Sequence, residues 1–282
     1  SATRNGHTEI VKYLLTKSRV VPGNDAICYS EHDIEGSFTL HYQALQYASK
    51  HGHTEVVQLL LADSRVDPSA LFNEAIRSAS KHGYTEVVQL LIAESRVDPS
   101  AFFNKAICSA SKHGHTEVVQ LLLADSRVDP SAFFNDAIRS ASKHGHIEVV
   151  QLLIAESRVD PSAFFNDAIR SASKHVHIEV VKVLLADSRV NIYAFDSAIR
   201  SASKHGHAEV VKLLLEDSRV DGCALYYAIH RASRHGHVEV VKLLLADTRY
   251  LNLSSIVFNV LFIALPSTVT QKLLNFYLQI PG

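Results

Sequence analysis

Apolar positions along most of this chain recur at helical period in two alternating registers. In DAIRSASKH (136–144), Ala137, Ile138 and Ala141 fall on one face. In the stretch from Ile147 to Ala155, Val149, Val150, Leu152, Leu153 and Ile154 make a wide apolar face. Gly145 separates the two as a C′ residue, where positive φ is cheap, and the polar run ESRVDPS (156–162) follows the second. The start of the first helix has two readings. Asn135 is a natural N-cap. Phe133 and Phe134, four residues before Ala137 and Ile138, instead extend the face back towards Asp129-Pro130, a cap followed by proline at N1. Either way the unit is helix–turn–helix.

The unit is then repeated. A G-H-x-E-V-V-x-L-L phrase begins at Gly6, Gly52, Gly83, Gly114, Gly145, Val176, Gly206 and Gly236, at spacings of 46, 31, 31, 31, 31, 30 and 30. A ninth, degraded copy is PSTVTQKLL (266–274). Self-similarity at a fixed period near 30 means a solenoid. One unit buries too little apolar surface to offset the entropy of ordering it, so units must stack. The pattern predicts an all-α solenoid of about eight stacked helix-turn-helix units, residues 1–282 forming a single array. Residues 1–51 are a truncated first unit with a long insert at 23–42, 52–250 are regular repeats, and 251–282 a divergent apolar capping unit. SATRNGH, at the start, aligns with SASKHGH (140–146), so the chain is expected to open inside a repeat of a longer protein.

The phrase GHTEVVQLLLADSRVD (114–129) resembles the second half of an ankyrin repeat, and its iteration carries the resemblance over nearly the whole chain. In place of the family's T-P-L-H-x-A-A stands DAIRSAS (136–142), keeping only the apolar and small positions. Twelve residues separate L-L-L from that helix where about fourteen are usual. The resemblance therefore implies trimmed or absent β-hairpin fingers, and a concave face bearing the ligand.

Composition narrows the function. With 28 basic and 29 acidic residues, the formal charge of −1 supplies no field for nucleic acid or an acidic membrane. Cys28, Cys108 and Cys223 are far apart, without C-x-x-C, which suits a reducing, cytoplasmic or otherwise intracellular setting. The longest apolar run, IVFNVLFIAL (256–265), is about half of a bilayer span.

Seventeen histidines invite a metal reading. Thirteen stand in two columns around the turn glycine: His51, His82, His113, His144, His175, His205 and His235 before it, then His53, His115, His146, His177, His207 and His237 after it. Zinc needs three or four ligands at about 2.0–2.1 Å, whereas packed helices lie about 8–10 Å apart. No metal and no other cofactor is expected, and the second column is read as turn bracing. The first column sits beside lysines that align with the two variable, concave positions of the ankyrin phrase A-A-x-x-G-H. Lys81-His82, Lys112-His113, Lys143-His144, Lys174-His175 and Lys204-His205 make a basic ladder, the candidate partner-binding site. Glu74/Arg77, Asp136/Arg139 and Asp167/Arg170 are i,i+3 pairs. The arginines of SRVDP are read as turn-stabilising or simply exposed. No nucleophile–base–acid set stands outside the repeat phrase, and there is no P-loop, so no enzyme is expected.

These features point to a non-catalytic protein-interaction scaffold whose partner is a protein, acidic or extended, along the concave face or at the irregular ends. Nucleic acid and membrane are not expected partners: no aromatic residue interleaves the ladder. Two alternatives stay open. One is a structural element that self-associates through its ends into filaments; the other is the substrate-recognition array of a ubiquitin ligase. The apolar end, with Phe258, Leu261, Phe262, Leu273, Leu274 and Phe276 at helical spacings, is expected to be an interface or a cover.

Overall fold

A computed structural model describes residues 2–17, 39–190 and 192–247. Most of the 23–42 insert and the whole 251–282 end lie outside the described residues. Among those described there are fifteen α-helices and no strand. The chain groups into two compact units, Ser1–Ala137 and Ile138–Gly282.

The first unit holds α1 (Thr8–Lys17), α2 (Thr39–His51), α3 (Thr54–Leu61), α4 (Ala70–His82), α5 (Thr85–Ala93), α6 (Ala101–His113), α7 (Thr116–Ala124) and the start of α8 (Ala132–His144). Its first helices pack in sequence, α2 on α4 on α6, and its second helices form a parallel layer, α1 on α3 on α5 on α7. The second unit contains the rest of α8, then α9 (Ile147–Ala155), α10 (Ala163–Lys174), α11 (Ile178–Ala186), α12 (Ile192–His205), α13 (Ala208–Leu215), α14 (Gly222–Arg234) and α15 (Val238–Leu245). There α10, α12 and α14 stack in one layer, and α9, α11, α13 and α15 in the other.

The core follows the period of the sequence. Ala137, Ile138 and Ala141 are fully buried, as are Val149, Val150 and Leu153. Leu152 and Ile154 are only half-buried, so the inner face of the second helix is narrower than its run of apolar residues suggests. The polar turn contributes as well: Val66, Val97, Val128, Val159 and Val220 are buried.

Glycine closes the first helix for two reasons. Gly83 takes φ +77, the αL cap, and lets the Tyr84 amide donate to the Ala79 carbonyl at 3.1 Å. A Cβ there would also lie 2.5 Å from His115 Nδ1 in the next repeat. Val176 holds the same left-handed turn at φ 64 without being glycine.

The start of the first helix resolves the earlier ambiguity in an unforeseen way. Asp67 Oδ1 accepts from both the amide and the hydroxyl of Ser69, at 2.9 and 2.7 Å, an Asx turn on the Asp-Pro side. The same turn recurs at Asp98 and Asp129. Then comes a left-handed turn of three residues: Leu71-Phe72-Asn73, Phe102-Phe103-Asn104, Phe133-Phe134-Asn135 and Phe164-Phe165-Asn166, all with φ between 52 and 59. Asn135 is thus not an N-cap. For L-residues this conformation costs ~1–2 kcal/mol each. Part of the return is the asparagine, buried in every copy. Asn73 Oδ1 accepts the Asp98 amide, and Asn104 Oδ1 the Asp129 amide, both at 2.8 Å. The turn also accounts for the period. The 31-residue repeats containing α4, α6, α8 and α10 have it; the 30-residue repeats containing α12 and α14 do not. Instead α14 starts at Asp221, whose side chain accepts the Ala224 amide at 2.7 Å as an ordinary N-cap. The left-handed turn absorbs the extra residue.

Candidate functional site

The ladder residues occupy the last turn of each first helix. In the first unit Lys81, His82, Lys112 and His113 are exposed; in the second Lys143, His144, Lys174, His175 and Lys204 are exposed and His205 is half-buried. No ion pair among the described residues engages Lys81, Lys143, Lys174 or Lys204.

The first-column histidines from His82 to His205 are each held by their own helix. Nδ1 lies 2.8 Å from the carbonyl four residues back in His82, His113, His144 and His175, and 2.9 Å in His205. A carbonyl only accepts, so Nδ1 carries the proton and donates. The ring also stacks on the second-column residue two positions later. Centroids are 6.0 Å apart for His113/His115 and His205/His207, and 6.1 Å for His144/His146 and His175/His177. Tyr84 takes that place beside His82, also at 6.0 Å.

The second column braces, but across repeats rather than within its own turn. His115 Nε2 donates to the Lys81 carbonyl at 3.0 Å. In the second unit His177, His207 and His237 donate to Lys143, Lys174 and Lys204 at 3.1, 2.8 and 3.0 Å. The opposite nitrogen packs on the glycine: a Cβ at Gly145 would come within 2.5 Å of His177 Nδ1. Burial there holds the His177 and His207 rings below the usual imidazole range, against the pull of the backbone carbonyls they bond. In each unit the ladder positions are thus pinned by their backbone, and the ammonium groups project from them. Among the described residues no three His, Cys, Asp or Glu side chains converge as metal ligands do.

Sequence reasoning missed three features. The first is the work of the turn arginines. Arg127 Nη1 donates to the Val97 carbonyl at 2.8 Å and Nη2 to that of Ile92 at 3.1 Å, capping the C-terminal end of α5 in the preceding repeat. Arg96 does the same to Val66 and Leu61, Arg189 to Val159 and Ile154, and Arg219 to Leu185. Each guanidinium is steadied by the acid two residues before it, Glu94, Asp125, Asp187 or Asp217. These are ties between repeats. The only sequence signal is their fixed place in SRV.

The second is an inter-repeat role for Arg139, whose Nε lies 3.1 Å from Asp167 Oδ2 and whose guanidinium sits 4.4 Å over the Phe164 ring. The expected pairs Glu74/Arg77 and Asp167/Arg170 form as well. The third is the display of aromatic rings by the left-handed turns, with Phe72, Phe103, Phe134 and Phe165 largely in solvent. A hollow in the second unit is lined by Tyr193, Asp196, Arg219, Asp221 and Cys223. Burial raises the Asp196 carboxyl there above its ordinary range, although Arg200 pairs with it.

No described helix is long and apolar enough to cross a membrane. A comparison with curated proteins finds no match. A comparison with family models matches "Ankyrin repeats (3 copies)" at residues 1–71, 76–165, 107–196 and 168–254. That span takes in the glycine-closed first helices, the paired second helices and the ties between them. The chain belongs to the ankyrin-repeat family, whose arrays generally serve as protein–protein interaction modules.

Proposed function

We propose that this array is a non-catalytic scaffold that binds an acidic, extended protein segment along the Lys–His ladder. The observation that carries the reading is the immobilised base of each rung. The carbonyls of Lys81, Lys143, Lys174 and Lys204 are each hydrogen-bonded by a histidine of the following repeat, and the ammonium groups stay in solvent. A fixed backbone leaves only the lysine side chains to be ordered on binding, which lowers its cost. A spacing of about 8–10 Å between rungs matches one three-residue turn of a segment extended as polyproline II, at ~3.1 Å per residue, which returns every third side chain to the same face. Acidic side chains at every third position of a partner would meet successive lysines. Such a surface steers association and confers strong salt dependence.

The test is a fluorescence titration with an acidic peptide of that spacing, Asp or Glu at every third residue. Binding should weaken steeply with salt and should vanish in K143E/K174E/K204E, whose circular dichroism and melting stay those of the parent. Full affinity in the folded triple variant, or binding indifferent to salt, would remove the ladder from the function.

A further inference from the structure

The first unit carries a second surface that the ladder does not explain. Phe72, Phe102, Phe103, Phe133 and Phe134 form an unbroken row, with successive ring centroids 6.0, 6.0, 6.2 and 6.1 Å apart. Phe72, Phe103 and Phe134 are 70, 71 and 65% exposed, and Leu71, Phe102 and Phe133 are half or more exposed. All six have left-handed backbone. Asparagine or glycine would hold that backbone with less strain, and rings so exposed return little packing to the fold.

The asparagine ending each turn makes the contrast. Its side chain is buried, and in Asn73 and Asn104 it bonds the next repeat. The fold uses the asparagine fully and the phenylalanines little: the Arg77 guanidinium lies 4.8 Å over the Phe102 ring, yet half of that ring stays exposed. Strain maintained in order to hold apolar rings in water marks a surface whose use lies outside the fold.

The size of the row indicates what covers it. With ~200 Å² for a fully exposed phenylalanine, the six side chains present roughly 700 Å² of apolar surface. That exceeds the ~300–600 Å² of the largest patch on a typical monomer and approaches the ~800 Å² that each partner gives to a standard interface. A formal net charge of −1 lets two copies approach without repulsion. We infer that the row is the interface between two copies of this chain, related by a two-fold axis that lays one row against the other. An isologous interface needs a self-complementary patch. Rings tilted 41 to 57° to their neighbours offer both faces and edges to a second row of the same kind.

Sedimentation velocity of the whole chain from about 1 to 100 µM tests this. The mass should pass from one chain to two across that range. F72N/F103N should stay monomeric, its dissociation constant raised about 100-fold or more, as the two most exposed anchors are lost. Because asparagine tolerates αL, its melting temperature at the lowest concentration should not fall. If that variant fails to fold, F103G, which also suits the backbone, is read in its place. A wild-type chain still monomeric at about 100 µM overturns the inference, whether the row is bare or covered by another segment. So does a folded F72N/F103N that dimerises with wild-type affinity, or a mass that grows past two chains.

Discussion

Arg127 offers the sharpest test of how neighbouring repeats are joined. Its guanidinium donates to two carbonyls of the preceding repeat, at 2.8 and 3.1 Å, and to Asp125 at 3.0 and 2.6 Å. The Asp125 pair is local and worth little by itself, ~0–1 kcal/mol. A hydrogen bond from a charged donor contributes ~1.5–3 kcal/mol when sheltered from water. The Arg127 side chain is 40% exposed, so about half of that is the reasonable share for each carbonyl. R127A should therefore cost about 1.5–3 kcal/mol. R127K keeps the charge but loses the planar fork that reaches two carbonyls at once, and should cost more than half as much. Gln120, exposed on α7, provides the control: Q120A should stay within ~0.5 kcal/mol. Urea unfolding at pH 7 followed by circular dichroism reads all three. The link also has a pH signature. Hydrogen bonding from Arg127 holds the Asp125 carboxyl below its ordinary 3.8, so its contribution is complete above that value and lost as pH falls through the folded-state value. If R127A matched Q120A, the arginines would be exposed ornaments of the turn, and the repeats would be joined without them.

Three further outcomes are expected. G83A should destabilise by about 2 kcal/mol, from αL strain and displacement of the His115 ring, and a double-mutant cycle with H115A should show that the two are coupled; additive effects would mean no contact. S80A and S111A should each stabilise by ~0.5–1.5 kcal/mol in thermal melts, since each removes a buried hydroxyl without a hydrogen-bond partner, and a loss of stability would reveal a partner for the hydroxyl. His177 and His207 have depressed imidazole pKa values in the folded chain, so their contribution is complete above the unfolded value of about 6.5 and declines as pH falls through the folded values. The urea midpoint should therefore drop between pH 7 and pH 5, less so in H177N/H207N, and an equal drop in that variant would place the titration elsewhere.

What could be read from sequence was whatever repeats at the period of a single helix. The burial of Val149, Val150 and Leu153 follows from their spacing, and Gly145 announces the end of a helix because no other residue takes positive φ so cheaply. Phe133-Phe134-Asn135 defeated the same reasoning because local propensity assigns those residues to a right-handed start or a cap. The left-handed turn is a tertiary override, supported in the preceding copies by an asparagine bond to the next repeat. The targets of Arg127 were invisible for a different reason: backbone carbonyls about one repeat away leave no trace in residue identity. The ladder lysines were legible as positions, whereas the histidine bonds that pin their carbonyls needed the neighbouring repeat in place.

The ties between repeats obey a fixed arithmetic. Arginine Nη1 reaches 30 residues back, histidine Nε2 reaches 34 back, and asparagine Oδ1 reaches 25 forward, always to a main-chain group. Main-chain acceptors and amides are the same in every copy, so a tandem duplication or deletion of one whole repeat would leave each donor facing an equivalent partner. Array length could then change by whole repeats without compensating substitutions at these ties. A change of one residue within a repeat is another matter, since it alters the reach of every tie that crosses that repeat. At the junctions from α10 to α12 and from α12 to α14 the histidine reach is 33 instead of 34, and those repeats are the ones without the left-handed turn. A single-codon deletion is accommodated where that turn can be surrendered, which makes it the slack that lets the array vary its pitch in sequence while keeping its contacts in space.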